Sequence, residues 1–440
     1  MTVQVSCQSI RIVSFPFAMT TLTLAKGSAP PPEPLPLRGH IKPLDGLRGI
    51  AILLVMLFHF AWPEKAQGLL TKLYVFIVAL GWVGVDLFFV LSGFLITGIL
   101  LDSKSGPGYF RNFYARRVLR IFPLYYAVLL ITLVILPRIV AYDTPELKRL
   151  LAGQGWLWLY STNISVAVEH GNWIATAGWL RMGALWSLAV EEHFYLVWPV
   201  IIFFLSRRAL LRTSIAIIVL VPILRTLAVF GGVAPDTVYC LTIFRIDALA
   251  MGGFLAALVR DRELFSQVRA RAPLAGWLAL GVLVAIGARH RWLDRMGVSV
   301  QTIGYSAIAV MFGALLLMAV TSPPDSLLHR VLAHRTLVFF GKYSYGAYIV
   351  HFVLGTLFDR IFPVRAFQLV LHSELAAFVF YALLSMAVTL ALAVASYEIY
   401  EKRFLGLKRF FEYRAPAPTP ARLHDGDLLA SQAAGTPQAP

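Results

Sequence analysis

Ten stretches of this 440-residue chain are apolar for about the length a helix needs to cross a bilayer. A hydrocarbon core of about 30 Å takes about 20 helical residues. The stretches cover 44–62, 74–101, 119–137, 184–205, 209–230, 241–259, 273–288, 299–320, 337–358 and 375–400. The sequence therefore predicts an all-α, polytopic membrane helix bundle of about ten transmembrane helices. Composition excludes the other classes. Residues AVILMFWYC make up 58% and DEKR only 14%, whereas a soluble domain carries about 25% charged residues. A soluble enzyme, a disordered chain and a disulfide scaffold are all ruled out. The cysteines, Cys7 and Cys240, are too few for a redox or metal framework.

The net charge of +16 fits membrane orientation rather than nucleic acid. Lys and Arg crowd the connections after the second, fourth, sixth and eighth spans and the segment after the tenth, while the other connections carry fewer. Basic loops stay on the cytoplasmic side, so both termini are expected in the cytoplasm. The apolar stretch 150–163 is short, and counting it as a crossing would reverse every later loop. It is expected to be re-entrant or interfacial. Residues 1–40 hold the run Ala29-Pro30-Pro31-Pro32-Glu33-Pro34-Leu35-Pro36 and read as an extended or disordered cytoplasmic lead. No secretory signal peptide is expected, because Pro16 breaks the only apolar stretch before that run. The membrane domain is expected over 41–405. A tail over 406–440 should be basic and then disordered.

Ionisable residues inside spans are costly, and each marks a functional candidate. Arg48 and His59 stand eleven residues apart in Leu44-Asp45-Gly46-Leu47-Arg48-Gly49 and the apolar run after it. That spacing is about three helical turns plus 20°, so both lie on one face, about 16 Å apart along the axis. Glu191 and Glu192 in Leu185-Trp186-Ser187-Leu188-Ala189-Val190-Glu191-Glu192-His193 point about 100° apart and cannot share one role. One is expected to face the bundle and the other the surface. Arg245 and Asp247 do not face each other on a helix, and their partners are expected on other helices. Asp86 needs a partner too. Ser344, Tyr348 and His351 fall at i, i+4 and i+7 on one stripe. On the inner side Arg116 and Arg120 share a face, with Arg117 beside them. Guanidinium forks suit phosphate, so Arg48, Arg116, Arg117 and Arg120 are candidate ligands for a phosphate-bearing substrate.

These residues resemble the membrane acyltransferase 3 family, the integral membrane acyltransferases of bacterial surface glycans and some antibiotics. The resemblance spans about 40–405. Its carriers are LDGLRGIAILLVMLFHF, GVDLFFVLSGFL, RRVLRIFPLYY, LWSLAVEEHFY, FRIDA, YSYGAYIVH and YEIYEKRF, in family order. The resemblance implies transfer of an acyl group from acyl-coenzyme A to a hydroxyl of a carbohydrate or glycolipid acceptor, at the inner (plasma) membrane. Arg48 and His59 match the family's essential pair, Glu191 its acidic position, and Arg116, Arg117 and Arg120 its basic loop. No bound cofactor and no metal are expected, since acyl-coenzyme A is a co-substrate. His59 is then the expected general base, or the site of a transient acyl-histidine. Glu191, or else Asp247, is expected to orient it. Arg245, Ser344 and His351 are candidates for the acceptor or the developing oxyanion. The rivals are a secondary transporter or flippase of a glycan or lipid-linked substrate, which also needs mid-membrane ionisable groups, and a non-catalytic scaffold.

Overall fold

An apolar run in lipid must satisfy its own backbone hydrogen bonds, and among the described residues each of the ten stretches is helical over most of its length. The computed structural model describes residues 41–60, 68–139, 144–169, 176–177 and 180–413. The Pro-rich lead and the final stretch of the expected tail lie outside the described residues. The ten principal helices are α1 (Lys42–Phe60), α2 (Gly84–Ser103), α3 (Tyr109–Leu129), α4 (Trp186–Phe204), α5 (Arg207–Phe230), α6 (Ile246–Leu258), α7 (Arg262–His290), α8 (Tyr305–Thr321), α9 (Arg335–Ile361) and α10 (Glu374–Ser396). A helix over Leu69–Ala79 and a 3-10 turn over Leu80–Val83 lead into α2. Extended pairing is confined to Thr176–Ala177 against Leu180–Arg181 among the described residues.

Eight helices among the described residues are long and apolar enough to cross a membrane. Two expected spans fall outside that set. Helix α9 is 27 residues long but carries Lys342, Tyr343, Tyr345, Tyr348 and His351. Helix α6 has 13 residues, shorter than the span expected over 241–259. Its outer part is instead a 3-10 turn over Thr242–Phe244. The reason is a competing donor: Arg225 Nη1 takes the Phe244 carbonyl at 2.6 Å. The stretch 150–163 likewise does not cross as one helix. It is broken into Pro145–Ala152, Gly155–Trp158 and Thr162–Val168, pinned to α3 where Tyr125 donates to the Leu157 carbonyl at 2.7 Å and Tyr126 to that of Trp158 at 3.1 Å.

Helix α1 packs along α9, and α2 along α6. Small residues let these backbones meet. A Cβ added at Gly93 would lie 1.9 Å from the Leu249 carbonyl oxygen, and one at Gly341 would lie 1.9 Å from that of Asp45. The α2–α6 contact is also clamped by charge. Arg245 Nη2 donates to Asp86 Oδ1 at 2.7 Å, and Arg225 Nη1 to Asp247 Oδ2 at 2.9 Å. Arg225 Nη2 also donates to Ser306 Oγ at 2.7 Å. The ring of Tyr305 lies 4.0 Å from the Arg245 guanidinium, a cation–π geometry. Both arginines are 0–1% exposed. The partners do come from other helices, as expected. Asp247, expected as a second choice to orient His59, is paired with Arg225, and Arg245, expected near the acceptor or oxyanion, is paired with Asp86 through Nη2, while Arg245 Nη1 keeps no hydrogen-bond partner among the described residues.

Removing one member of a buried pair leaves an uncompensated charge and costs about 3–5 kcal/mol. Asp86→Ala should therefore lower the thermal unfolding temperature in detergent sharply, and adding Arg245→Met should restore most of the loss. Equal melting of the wild type and Asp86→Ala would show that the pair does not clamp the bundle.

Candidate active site

Helix α4 begins from a 3-10 turn over Gly183–Leu185. From there Ser187, Glu191 and Tyr195 recur every fourth residue and share one face. They meet Ser344 and Tyr348 of α9, Ser92 of α2 and Arg48 of α1 around one cavity, with Arg117 of α3 at its edge. The cavity holds about 710 Å³ of space not filled by atoms, open solvent at its mouth included. Phe88, Phe89, Leu95 and Leu188 supply its apolar wall. A chamber with apolar walls and a few convergent polar groups is the usual form of a small-molecule site.

The polar groups fall into two hydroxyl chains. Tyr195 donates to Glu191 Oε2 at 3.0 Å, so its oxygen is left to accept from Ser92 Oγ at 2.5 Å. Tyr348 donates to the Ala184 carbonyl at 3.0 Å, and its oxygen accepts from Ser187. Two polar atoms of lining residues, Ser344 Oγ and Arg117 Nε, are buried without a hydrogen-bond partner among the described residues. An unpartnered buried donor costs about 1–3 kcal/mol, so both invite a ligand. Glu191 faces the cavity as expected. Glu192 is half-buried rather than on the surface.

The four expected phosphate ligands divide. Arg48 and Arg117 line the cavity. Arg120 lies over the Tyr345 ring at 5.6 Å, and Tyr345 is itself a lining residue. Arg116 points elsewhere. Its Nη1 donates to the carbonyls of Lys408 and Phe411 at 3.2 Å each, and its guanidinium covers Tyr413 at 5.5 Å. It straps the 3-10 turn over Leu407–Phe411 to α3, and Asn112 Nδ2 adds a bond to the Glu412 carbonyl at 3.0 Å. Positive-inside counting cannot separate these roles, because the strap lies 292 residues away in sequence.

His59 is not a lining residue of the cavity. Tyr348 lines the cavity and also borders the imidazoles. The Tyr348 ring stands 5.4 Å from that of His351, and His351 Nε2 lies 3.3 Å from His59 Nδ1. His351 is fully buried. The stripe of Ser344, Tyr348 and His351 is thus realised, with its first two members in the chamber and its third on His59. Ser92, Ser187 and Tyr195 were missed by the sequence reading, although the i, i+4, i+8 spacing in Ser187-Leu188-Ala189-Val190-Glu191-Glu192-His193-Phe194-Tyr195 carries the signal for two of them. No group of three or more His, Cys, Asp or Glu is placed to hold a metal among the described residues.

Comparison with known proteins decides the kinship. The profile of the acyltransferase 3 family, described as an acyltransferase domain, matches residues 41–397. The chain belongs to that family. The acyltransferase 3 domain therefore takes in all ten principal helices, while the strap over Leu407–Phe411 lies past it. Peptidoglycan O-acetyltransferase OatA of Listeria monocytogenes is 27% identical over 342 residues, covering 74% of this chain and 51% of that protein. YrhL of Bacillus subtilis is 31% identical over 390 residues, covering 84% and 56%. O-acetyltransferase OatA of Staphylococcus aureus is 28% identical over 337 residues, covering 71% and 50%. The chain thus spans about half the length of the curated relatives it matches. No solved structure matches it.

The division among the arginines is testable. Charge-assisted hydrogen bonds contribute about 1.5–3 kcal/mol each. Arg116→Ala should therefore speed tryptic cleavage at Lys408 and Arg409 by at least about tenfold, as mapped by mass spectrometry, while Arg117→Ala leaves it unchanged. Equal cleavage of both variants would remove Arg116 from the strap.

Proposed function

We propose that this chain is a multi-pass membrane O-acetyltransferase of the plasma membrane, taking its acyl group from cytoplasmic acyl-coenzyme A and passing it to a hydroxyl of a cell-wall glycan. The observation that carries this reading is one cavity edged by Arg48 and Arg117, holding an unpartnered Arg117 Nε and an unpartnered Ser344 Oγ, with an imidazole pair one aromatic ring beyond it. The names of the relatives favour acetyl as the group and, for the Listeria protein, peptidoglycan as the acceptor.

The chemistry follows from what each group can do. Guanidiniums at the cytoplasmic end of the cavity, Arg48, Arg117 and Arg120, hold the donor's phosphates. The thin pantetheine arm lies in the apolar chamber, and the Ser344 hydroxyl is there to bond one of its amides or the thioester oxygen. Rotation of Tyr348 away from the Ala184 carbonyl joins the chamber to the imidazoles. His59 Nε2 then takes the proton of the acceptor hydroxyl as that oxygen attacks the thioester carbon. A carbon–oxygen bond forms, the carbon–sulfur bond breaks, and the proton passes to the departing thiolate. Glu191, held by Tyr195, lines the same chamber as Arg48 and Arg117.

The test uses the full chain purified into lipid nanodiscs with acetyl-coenzyme A and a soluble peptidoglycan fragment. Thiol release should depend on the acceptor. His59→Ala should lower its rate by at least about 10²-fold. Arg117→Ala should raise the donor KM by about tenfold, the effect of losing one charge-assisted bond, with the acceptor KM unchanged. A transporter would release no thiol. A fully active His59→Ala would end the general-base assignment.

A further inference from the structure

Arg295 stands at the opposite end of α1 from the basic cluster. Its guanidinium lies 5.3 Å from the ring of Phe58, which is about 15 Å along the helix from Arg48. The Phe58 ring in turn meets the His59 imidazole edge-on at 5.1 Å. One phenyl ring thus touches both the arginine and the proposed base. A second ring, that of Tyr239, lies 5.6 Å from the same guanidinium. The backbone that carries Arg295 is pinned twice. Tyr305 of α8 donates to the Arg295 carbonyl at 2.5 Å, and Trp82 Nε1 donates to the Leu293 carbonyl at 3.3 Å. The adjacent carboxylate is used inside the loop, where Asp294 Oδ1 accepts from the Met296 amide at 3.0 Å. The Arg295 side chain is half-buried, and no hydrogen bond or ion pair engages its guanidinium among the described residues.

A guanidinium stacks through its flat faces, whereas its five N–H donors lie in the plane and leave from its edge. Stacking therefore holds the group in place without using a donor. Arg245 lies on the same Tyr239 ring at 5.2 Å, but Asp86 neutralises it at 2.7 Å. Arg295 has no such carboxylate among the described residues, and it stands on the side where basic residues are fewer. We infer that Arg295 is an acceptor-recognition residue, a fork held ready for a carboxylate on the glycan whose hydroxyl is acylated. A planar fork meets a carboxylate through two parallel N–H···O bonds. Fixing the side chain beforehand also lowers the entropy lost on binding. The inference rests on the proposed acyl transfer at His59: an acceptor anchored at Arg295 presents its neighbouring hydroxyl to the imidazole. The donor's phosphates are left to the arginines three turns away.

The test compares a soluble peptidoglycan fragment bearing free carboxylates with the same fragment after those carboxylates are amidated. Binding of each is measured by calorimetry to the full chain in nanodiscs of phosphatidylcholine alone, which carry no net headgroup charge. Wild type, Arg295→Met and Arg295→Lys are compared. Met keeps the length and the apolar contact with both rings, so its melting temperature should match wild type. Wild type should bind the acidic fragment about tenfold more tightly than the amidated one, the effect of one charge-assisted bond. Arg295→Met should lose that preference and bind the amidated form as wild type does. Arg295→Lys should keep about threefold, since an ammonium supplies charge without the fork. A wild type that binds both fragments equally, or an Arg295→Met variant that keeps the preference, would overturn the inference, and neither result depends on turnover. Thiol release is followed in parallel, and the acceptor KM for the acidic fragment should rise about tenfold in Arg295→Met, with the donor KM unchanged. Binding with the expected preference but without thiol release would instead overturn the acyl-transfer reading beneath it.

Discussion

A polar atom buried in hydrocarbon has no water to turn to, and this constraint sorts the charged groups of the bundle into two kinds. Some are paired with one another. Arg245 with Asp86 and Arg225 with Asp247 and Ser306 form an ionic lock between α2, α5, α6 and α8. Others are left open toward a shared space, as with Ser344 Oγ and Arg117 Nε. Groups of the first kind hold the helices in place. Groups of the second kind keep a binding capacity that packing has not consumed.

The sorting explains why some candidates were legible in the sequence and others were not. The helices were legible because an apolar run of span length has few alternatives in lipid. The faces within a helix were legible too, since the 3.6-residue period places Ser344 above Tyr348 and Arg48 in line with His59. Partners across helices were not. That Arg245 meets Asp86 depends on the α2–α6 crossing, and Gly93, which permits that crossing, has no charge to advertise it. Arg116 and Arg117 are adjacent and chemically identical, yet one grips a carbonyl pair and the other edges the chamber. The helical turn of about 100° between neighbours makes that difference, and no count of basic residues reveals it.

The expected carboxylate-to-imidazole contact shows the same limit. Glu191 matched an acidic family position and enters the chamber, but its bond is to Tyr195. An imidazole of α9 does meet His59, and it was visible beforehand only as the end of a polar stripe. Family kinship guided the chemistry proposed. That Arg48, Arg117 and Tyr348 line one chamber, with His351 against Tyr348 and His59 against His351, came from packing.

Pairing α1 with α9 also has a cost in time. His59 and His351 are separated by 292 residues. At about 5–20 residues per second of synthesis, roughly 15–60 s pass between the emergence of one imidazole and the arrival of the other. During that interval the first helix sits in the membrane with a polar ring and a guanidinium that have yet to meet their final neighbours. The assembly of this centre is therefore a late event in biogenesis, and the growing bundle must shelter α1 from premature pairing until its ninth helix is laid in.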